Sequence, residues 1–319
     1  MLLLLTGLVI AWELPQKEDR YIHVGIAVYD RSDTFMESYI RELEDKIGQT
    51  RILGKKVSYE IYDAEGIGSR QEKQLQEMYA QDYDVMLVNL VEPASAAGVL
   101  TDAKDADIPV ILFNREIDEK DLKISKNVWY VGTDARAAGV MQGKMLKDLW
   151  KKQSRILDWN GNGMLDYVLV EGEESHFDAI RRTSGFLETG AELPLNQKGN
   201  VLAEWKRELA YEKFAALDDE AVQNVEAVIC NNDDMALGVY DYYKEKNLKL
   251  PVIIGINNSE EMHQKIMSGE MYGTIDNKME DQVMEICRLM QAILKKDTGS
   301  YQKVWYSTPK AIVKAEGTE

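Results

Sequence analysis

The stretch DVMLVNLVEPASAAGVLTDAKDADIPVILFN, residues 84–114, decides the fold of this chain. It begins with an apolar, β-branched run at 84–90, continues with helical periodicity at 94–104, and returns to a second apolar run at 109–114. Two short buried strands joined through a helix form a parallel pair, because the helix carries the chain back to the starting edge of the sheet. The sequence therefore predicts an α/β protein built on parallel sheets.

The same alternation of short apolar runs and helical segments continues over most of the chain. In the first half we predict strands at 23–29, 57–63, 84–90, 109–114 and 128–132, and helices at 35–52, 70–81 and 94–104. In the second half we predict strands at 165–172, 200–205, 226–232, 251–256 and 271–275. The helices of that half are predicted at 178–189, 208–217, 234–246, 260–268 and 279–296. One plan is used twice, which predicts two doubly wound, Rossmann-like parallel-sheet lobes.

The length and charge of the chain narrow the classes of partner. A chain of 319 residues exceeds what one hydrophobic core usually supports, which favours two domains. With 38 basic and 55 acidic residues the formal net charge is −17, and an acidic surface does not attract nucleic acid or anionic membranes. We therefore expect no nucleic acid as partner, and we expect a neutral or cationic ligand.

The N-terminus carries a strongly apolar run, LLLLTGLVIAW at 2–12, which is shorter than the roughly 20 residues that span a bilayer as a helix. It matches the core of an export signal, although no Lys or Arg precedes it and no small-x-small cleavage pattern is present. We assign residues 1–20 to the remnant of an export signal or to an anchor, and expect an extracytoplasmic protein. An N-terminal strand or a cloning remnant is the alternative.

Polar side chains end several of the predicted strands. They are Asn114, Asn232, Asn257 and Asn277, with Asp233 and Asp276 beside two of them. Parallel sheets bind ligands beyond the carboxyl ends of their strands, so we expect these side chains at the cleft between the lobes. Each one alone is equally typical of a turn or a helix cap. Together the amides favour a ligand with many neutral hydroxyls, since an amide offers a donor and an acceptor.

The segment DWNGNGMLD, residues 158–166, places oxygen-bearing groups at every second position. It fails as a dinucleotide fingerprint, because Asp166 replaces the last glycine and the loop precedes a strand instead of a helix. It matches an EF-hand calcium loop, with Gly163 at the sixth position. The predicted ligands are Asp158, Asn160, Asn162, the backbone carbonyl of Met164, and Asp166. Position 12 is Leu169, so that ligand must come from elsewhere, and a solvated polar turn is the alternative.

Taken together, these motifs resemble the periplasmic galactose/glucose-binding proteins of bacterial transport and chemotaxis, which have the type I periplasmic-binding-protein fold. The resemblance runs through VGIAVYDRSDTFM, VNLVEPASA, PVILFNRE, YVGTD, DWNGNGMLDYVLVEGEESHFDAIRRT, EAVICNNDDMALG and MYGTIDN. It implies two lobes joined by a three-segment hinge, with crossings near Thr133, Asn277 and Pro309. The N-terminal lobe would comprise 21–133 and 278–308, and the C-terminal lobe 134–277 and 309–319.

The resemblance also implies a bound calcium ion whose bidentate carboxylate comes from a distant strand. The matching residue is Glu226, at the start of EAVICNND. The family has Asp at loop position 5 and Gln at position 9, where this chain has Asn162 and Asp166. The carboxylate has moved within the loop, which should preserve the charge while changing the calcium affinity.

A sugar site is implied in the same way. Its residues would be Asp33, Phe35, Asn114, His176, Asp178, Arg182, Trp205, Asn232, Asn257 and Asn277. Phe35 and Trp205 would lie against the two C–H faces of a pyranose while polar groups bind its hydroxyls. Arg182 would contact a hydroxyl or the ring oxygen, and Asp178 the anomeric end.

Taken singly, several of these residues have ordinary structural explanations. Trp205 is also typical of a core aromatic, His176 of a structural histidine, and Arg182 of a surface ion pair with Glu173 or Glu188. Asn257 stands where the family has an aspartate, and a neutral hydrogen bond is weaker than a charged one by about 1 kcal/mol, so binding should weaken roughly tenfold or favour another sugar.

The implied function is the binding of galactose or glucose by a monomer, which closes on the sugar and delivers it to an ABC transporter permease. The alternative is a membrane-held sensor that presents its closed form to a histidine kinase or chemoreceptor. We expect no enzyme, because the sequence has no GxSxG or HExxH motif and its histidines, His23, His176 and His263, are scattered. A repressor of the related fold would need a helix-turn-helix before the first strand, and none is recognisable there.

Overall fold

The computed structural model describes residues 21–314. Its strands are β1 Tyr21–Val28, β2 Arg51–Ile52, β3 Lys55–Asp63, β4 Val85–Val88, β5 Val110–Phe113, β6 Val128–Thr133, β7 Leu165–Glu171, β8 Leu195–Leu202, β9 Ala227–Cys230, β10 Val252–Ile256, β11 Gly273–Asp276, β12 Val304–Ser307 and β13 Lys310–Val313. Its α-helices are α1 Thr34–Gln49, α2 Gly68–Tyr79, α3 Ala96–Asp105, α4 Ala135–Leu157, α5 Phe177–Gly190, α6 Arg207–Ala215, α7 Asp219–Asn224, α8 Asp233–Glu245, α9 Glu260–Ser268 and α10 Met279–Leu294. The export-signal expectation for 1–20 and the last residues of the C-terminal lobe fall outside the described residues.

The strands form two sheets, as the repeated sequence pattern predicts. The first has the order β12-β6-β5-β4-β1-β3-β2, and the second has the order β13-β11-β10-β9-β7-β8. Neighbouring strands are parallel except at the edges, where β2 pairs with β3 and β13 with β11 in antiparallel fashion. Two α/β lobes with mainly parallel sheets are therefore confirmed.

Each sheet is covered by helices on both faces. In β4, Val85 and Leu87 pack toward α1 and α10, while Met86 and Val88 pack toward α2 and α3. A strand buried on both faces has no polar side, which explains the uninterrupted apolar run of Val85–Val88. The same division holds in the second sheet, where α4 and α5 cover one face and α6, α8 and α9 cover the other.

The first helix is shorter than its sequence pattern predicts. Asp33 caps it, since its carboxylate accepts a hydrogen bond from the backbone N–H of Met36 at 2.8 Å. The helix ends at Gln49 instead of 52, and the next residues form the short strand β2. Leu53 and Gly54 both have positive φ, 53° and 80°, which makes the tight turn that folds β2 back onto β3.

Several elements of the second lobe differ from the sequence prediction, since α7 and β13 were not predicted. The 23-residue helix α4 is also absent from the predicted set, although its buried residues, among them Ala138, Met145 and Leu149, recur at helical spacing. Its glycines pack against α5, and a Cβ at Gly139 would collide with the backbone oxygen of Arg182. Strand β8 lies at Leu195–Leu202 instead of 200–205, so Trp205 lies beyond the strand.

The chain passes from one sheet to the other at three places, after β6, after β11 and between β12 and β13. These segments meet in a buried hydrogen-bonded node. The hydroxyl groups of Thr133 and Ser307 lie 2.7 Å apart, and each donates to the carbonyl oxygen of Asn277, at 2.9 and 2.7 Å. Gln282 donates to the same carbonyl at 2.9 Å. The node holds the three crossings together at one point.

Within residues 21–314, every helix is too short or too polar to cross a bilayer.

Candidate functional site

A cleft between the two sheets is lined by side chains from both lobes. The lining residues are Tyr29, Asp33, Phe35, Asn114, Arg115, His176, Asp178, Arg182, Trp205, Asn232 and Asn257. Every residue predicted for the sugar site is among them except Asn277. The residues come from the loops and helix starts that follow β1, β5, β7, β8, β9 and β10, because the carboxyl ends of these strands face the cleft.

Asn277 lies behind the lining. Its side chain is buried, and its Nδ2 donates to Oδ1 of Asn257 at 2.9 Å. Its carbonyl oxygen belongs to the hinge node. Asn257 and Asn258 both have positive φ, 133° and 60°, a conformation that asparagine tolerates better than most residues. Asn277 therefore orients Asn257 and joins the cleft to the hinge.

Two lining residues, Tyr29 and Arg115, were missed in the sequence. The guanidinium carbon of Arg115 lies 3.6 Å from the centre of the Tyr29 ring, and its Nη1 donates to the carbonyl oxygen of Val91 at 2.6 Å. Tyr29 ends the predicted strand at 23–29, and Arg115 directly follows Asn114. Extending the search for strand-end residues beyond asparagine and aspartate would have found both.

Trp205 is held in place by several independent contacts. It and Glu204 have positive φ, 69° and 50°, an unfavourable backbone for a bulky residue that persists only where the surroundings demand it. The carbonyl oxygen of Trp205 accepts from Nδ2 of Asn232 at 3.0 Å, and its indole N–H donates to Glu173 at 3.1 Å. A Cβ at Gly172 would overlap the indole ring. Trp205 thus lines the cleft and also packs against the core of the second lobe.

Phe35 lines the cleft from the first lobe and lies in the first turn of α1. Its ring lies 5.9 Å from that of Tyr39, which stacks on Phe113 at 5.3 Å. The buried aromatic row fixes the position of Phe35 from behind. Because Phe35 and Trp205 belong to different lobes and line the same cleft, a flat ligand can contact both rings.

The start of α5 brings His176, Asp178 and Arg182 to the cleft, and all three are buried. Nδ1 of His176 accepts from the backbone N–H of Asp178 at 3.2 Å, and its Nε2 is buried with no partner among residues 21–314. Burial, assisted by the charge of Arg115, lowers the pKa of His176 to about 3. The imidazole is therefore neutral at physiological pH.

Arg182 is not part of a surface ion pair. Its Nη1 donates to the carbonyl oxygen of Asn231 at 2.6 Å, and in the described part of the chain its buried Nε has no partner. Glu188 pairs with Arg136 instead, and Glu173 with Arg115. Burial raises the pKa of the neighbouring Asp178, and the charge of Arg182 opposes that rise.

The lining of the cleft carries equal numbers of acidic and basic side chains. Asp33 and Asp178 are opposed by Arg115 and Arg182, and the other hydrogen-bonding side chains are uncharged. Buried polar atoms usually have partners, so the unpaired nitrogens of His176 and Arg182 indicate hydrogen bonds to a ligand. The cleft is suited to a small polar molecule without net charge.

The lobes touch beside this cleft, through the consecutive residues Arg115 and Glu116. Nη2 of Arg115 lies 3.2 Å from Oε1 of Glu173, and the backbone N–H of Glu116 donates to Oδ2 of Asp178 at 3.2 Å. Glu116 also pairs with Arg181. A lining shared between two lobes in contact is the arrangement that domain closure produces around a ligand.

The loop at 158–166 has the turns of an EF-hand loop. Oδ2 of Asp158 accepts from the N–H of Gly163 at 3.0 Å, and Oδ1 of Asn160 accepts from the N–H of Asn162 at 3.0 Å. Gly161 and Gly163 have φ of 72° and 77°, which these turns require. The side-chain nitrogens of Asn160 and Asn162 both donate to Oδ2 of Asp166, at 2.9 and 3.2 Å, which draws these three side chains together.

Glu226 is brought to this loop from β9, as the family resemblance implies. It is fully buried, Oε1 accepts from the N–H of Trp159 at 2.8 Å, and Oε2 accepts from the N–H of Asp166 at 2.9 Å. Burial raises the pKa of Glu226, and these backbone hydrogen bonds oppose the rise. The contact fixes both ends of the loop to the second sheet.

The oxygen-rich loop fits a calcium ion, because Ca²⁺ prefers carboxylate and carbonyl oxygens. Oδ1 of Asp158 is buried without a partner among the described residues. Other donors surround Asp166, whose Oδ1 accepts from Asn196 at 2.6 Å and whose Oδ2 lies 3.7 Å from Nζ of Lys198. In the described chain no three His, Cys, Asp or Glu side chains gather around one point, so the amide and backbone oxygens would be essential ligands.

Two hinged α/β lobes that share a polar, aromatic-flanked cleft define the class of two-lobed proteins that close on a small ligand. The chain belongs to the periplasmic binding protein family, whose domain matches residues 24–298.

Relatives support this membership. The chain is 30% identical over 290 residues to the D-galactose/methyl-galactoside binding periplasmic protein of Haemophilus influenzae, covering 88% of this chain and 84% of that protein. It is 27% identical over 248 residues to the galactofuranose-binding protein of Escherichia coli, covering 75% and 74% of the two chains.

Solved structures agree on the fold. A periplasmic solute binding protein from Actinobacillus succinogenes with bound D-allose superposes with a TM-score of 0.79 at 19% identity, covering 92% of this chain and 97% of that chain. The Caulobacter myo-inositol binding protein superposes with a TM-score of 0.77 at 23% identity, covering 92% and 93%.

Proposed function

We propose that this protein binds a neutral monosaccharide, D-galactose or D-glucose, in the cleft between its lobes and delivers it to an ABC transporter. The observation that carries the proposal is the pair Phe35 and Trp205, which line one cleft from opposite lobes. A pyranose ring has two C–H faces and an edge of hydroxyls. Two aromatic side chains and a surrounding set of uncharged donors and acceptors match that shape.

Within this arrangement each polar group has a distinct task. The free Nε2 of His176 and Nε of Arg182 are available to ligand oxygens, and the carboxylates of Asp33 and Asp178 accept from hydroxyl groups. The amides supply the remaining hydrogen bonds from both lobes. The balanced charge favours a neutral sugar over a sugar acid or an amino sugar, because a charged ligand would leave one charge uncompensated in a buried site.

The choice between hexoses rests on two positions. By the family resemblance, Asp33 lies near the hydroxyl that distinguishes galactose from glucose, and a carboxylate accepts from either epimer. The relative from Haemophilus influenzae is named for D-galactose and methyl-galactoside. Asn257 replaces the family's aspartate, and its Oδ1 is already occupied by Asn277. We infer that both hexoses bind, with lower affinity than in a site that has a carboxylate at Asn257.

Closure of the lobes would be the signal for transport. A ligand that contacts both lobes stabilises the closed arrangement by its differential affinity, and a membrane partner can recognise that arrangement. The permease of an ABC transporter is the partner that we propose. Family membership implies an extracytoplasmic location, which suits this task.

We also propose that the loop at 158–166, with Glu226, binds calcium as a structural ion. The ligands would be side-chain oxygens of Asp158, Asn160, Asn162 and Asp166, the carbonyl oxygen of Met164, and the carboxylate of Glu226. When bound, the ion supplies positive charge at the centre of an acidic loop. It would stiffen the entry to β7 in the second lobe and take no part in contacts to the sugar.

Calorimetric titration tests the sugar proposal. D-galactose and D-glucose should each release heat that saturates, whereas sorbitol, which has the hydroxyls without the ring, and D-glucuronate, which adds a charge, should bind much more weakly. No heat with either hexose at millimolar concentration would reject the proposal.

A further inference from the structure

One carboxylate oxygen joins the two lobes and the Trp205 ring. Oε1 of Glu173 accepts from the indole N–H of Trp205 at 3.1 Å and from Nη2 of Arg115 at 3.2 Å. Arg115 follows β5 in the first lobe, whereas Glu173 and Trp205 follow β7 and β8 in the second. Glu173 is absent from the inner lining of the cleft, but it lines the adjoining space between the lobes together with Arg115 and Trp205.

The two partners of Glu173 differ in how firmly they are held. Arg115 is 6% exposed, and its guanidinium is fixed to the first lobe by the carbonyl oxygen of Val91 and by the Tyr29 ring. The side chain of Glu173 is 41% exposed and follows the end of β7 on a short loop. The side chain of Glu173 is therefore free to adjust its position, whereas the guanidinium of Arg115 is held in place.

The two hydrogen bonds also differ in their dependence on closure. The bond from Trp205 to Glu173 lies within one lobe, so separation of the lobes does not require it to break. The bond from Arg115 to Glu173 crosses the cleft and exists only when the lobes are together. Closure thus brings the guanidinium of Arg115 to the Glu173 carboxylate, which also accepts from the indole N–H of Trp205. This charge-assisted contact favours one position of the Glu173 side chain.

Resting on the proposed sugar binding, we propose that Glu173 is a positioning residue: through Arg115 it couples closure of the cleft to the orientation of Trp205. The backbone of Trp205 is already set by Asn232, and Gly172 lies against the ring. The edge of the ring has Glu173 as its hydrogen-bond acceptor. Losing that acceptor frees the ring to shift on the sugar and removes a contact between the lobes.

Two variants separate these roles. Glu173→Gln keeps an oxygen for the indole N–H but loses the charge that attracts Arg115, and Glu173→Leu removes both contacts. Glu174→Gln and Glu174→Leu are matched controls, because Glu174 is the exposed neighbour and does not line the cleft. Arg115 itself is left unchanged, since it lines the cleft and would alter direct contacts with the sugar.

The test combines stopped-flow fluorescence with ¹⁹F NMR of 5-fluorotryptophan protein, using D-galactose and D-glucose as probes. Partly exposed charged contacts are modest, so we expect the dissociation rate to rise roughly threefold in Glu173→Gln and about tenfold in Glu173→Leu. The association rate should change little, because the lobes close after the encounter. The Trp205 resonance, assigned with Trp205→Phe, should broaden or shift in the sugar-bound Leu variant and stay unchanged in both Glu174 variants.

The outcomes are distinct. If the wild-type protein binds neither hexose, the proposed function fails and this inference fails with it. If the wild-type protein binds sugar but Glu173→Gln and Glu173→Leu dissociate at the wild-type rate with an unchanged Trp205 resonance, only the positioning role is overturned. If Glu173→Leu does not fold, a wild-type dissociation rate in folded Glu173→Gln overturns the role by itself.

Discussion

Phe35 and Trp205 line one cleft from opposite lobes, although they lie in different halves of the chain. Phe35 is fixed from behind by the Tyr39 ring, and Trp205 by a strained backbone and the close approach of Gly172. The Phe35 ring and the backbone of Trp205 are therefore positioned before a ligand arrives, and only the orientation of the indole ring is left to closure. Preorganised aromatic contacts lose little conformational entropy on binding, which makes this pair the centre of the proposed sugar site.

Replacing Gly172 should disturb the site without removing any contact group. A Cβ at this position would overlap the Trp205 ring, so Gly172→Ala must displace the indole from its place. We expect D-galactose to bind about tenfold more weakly by calorimetry, the size of effect that a displaced aromatic contact produces. Gly98→Ala in α3 is the matched control, because a Cβ there meets open space. Equal affinities in the two variants would contradict the assigned position of Trp205.

Restoring a carboxylate at Asn257 should strengthen binding. A hydrogen bond to a charged group is stronger than one to a neutral group, so Asn257→Asp should lower the hexose Kd about tenfold at pH 7. Nδ2 of Asn277 already faces Oδ1 of Asn257 and would stabilise the new charge. The neighbouring Asn258→Asp, which adds the same charge outside the inner lining, should leave the Kd almost unchanged. Weaker binding by Asn257→Asp would show that the amide donates to the ligand.

Asp233 should make stability depend on pH. It is buried, accepts from the N–H of Ser259 at 2.7 Å and from the hydroxyl of Thr274 at 2.5 Å, and burial raises its pKa from 3.8 to about 7. Because the folded-state pKa exceeds the unfolded value, its stabilising contribution is complete below pH 3.8 and is lost as the pH rises through 7.

The isosteric change Asp233→Asn should remove this dependence. An asparagine can keep both contacts, accepting from the Ser259 N–H and donating to the Thr274 oxygen. In thermal melts between pH 5 and pH 8, we expect the difference in Tm between the variant and the wild-type protein to move in favour of the variant as the pH rises. A difference that is constant over this range would exclude a protonated Asp233.

Removing calcium should lower the thermal stability. An ion that binds only the folded state stabilises it by mass action, about 2.7 kcal/mol at a hundredfold excess over Kd. A chelator should therefore lower the Tm by several degrees, added calcium should restore it, and Glu226→Gln should abolish the response. Magnesium is the control cation, since it demands a tighter octahedral set of ligands. A Tm that is unchanged by both chelator and added calcium would contradict calcium binding at this loop.

The regular elements were predictable because their signals are local. Residues 85–88 and 110–113 are apolar throughout because β4 and β5 are buried on both faces, and an unbroken apolar run indicates such strands directly. Helix α4 was missed because glycines and alanines replace large apolar residues where it packs closely on α5. The small residues of α4 recur at helical spacing, but they give a weaker apolar signal than large side chains would.

The cleft was predictable only in part. Residues at strand ends point to a ligand edge, and the family resemblance supplied the remaining residues of the site. The positioning role proposed for Glu173 depends on one hydrogen bond from each lobe. The left-handed backbone at Trp205 depends on tertiary contacts. Neither feature produces a pattern of residues that could be recognised in the sequence. Asn277 was predicted both for the sugar site and near the hinge, and its contacts to Asn257 and the hinge node place it at the hinge, behind the lining.

Tryptophan fluorescence during sugar titration tests whether the cleft that holds Trp205 is the sugar site. D-galactose or D-glucose should change the emission of the wild-type protein in a saturable way, and Trp205→Ala should lose most of that change and bind at least tenfold more weakly. Trp305→Phe, in the first lobe away from the cleft, should behave like the wild-type protein. A Trp205→Ala variant that binds the sugar as tightly as the wild-type protein would contradict the claim that this cleft is the sugar site.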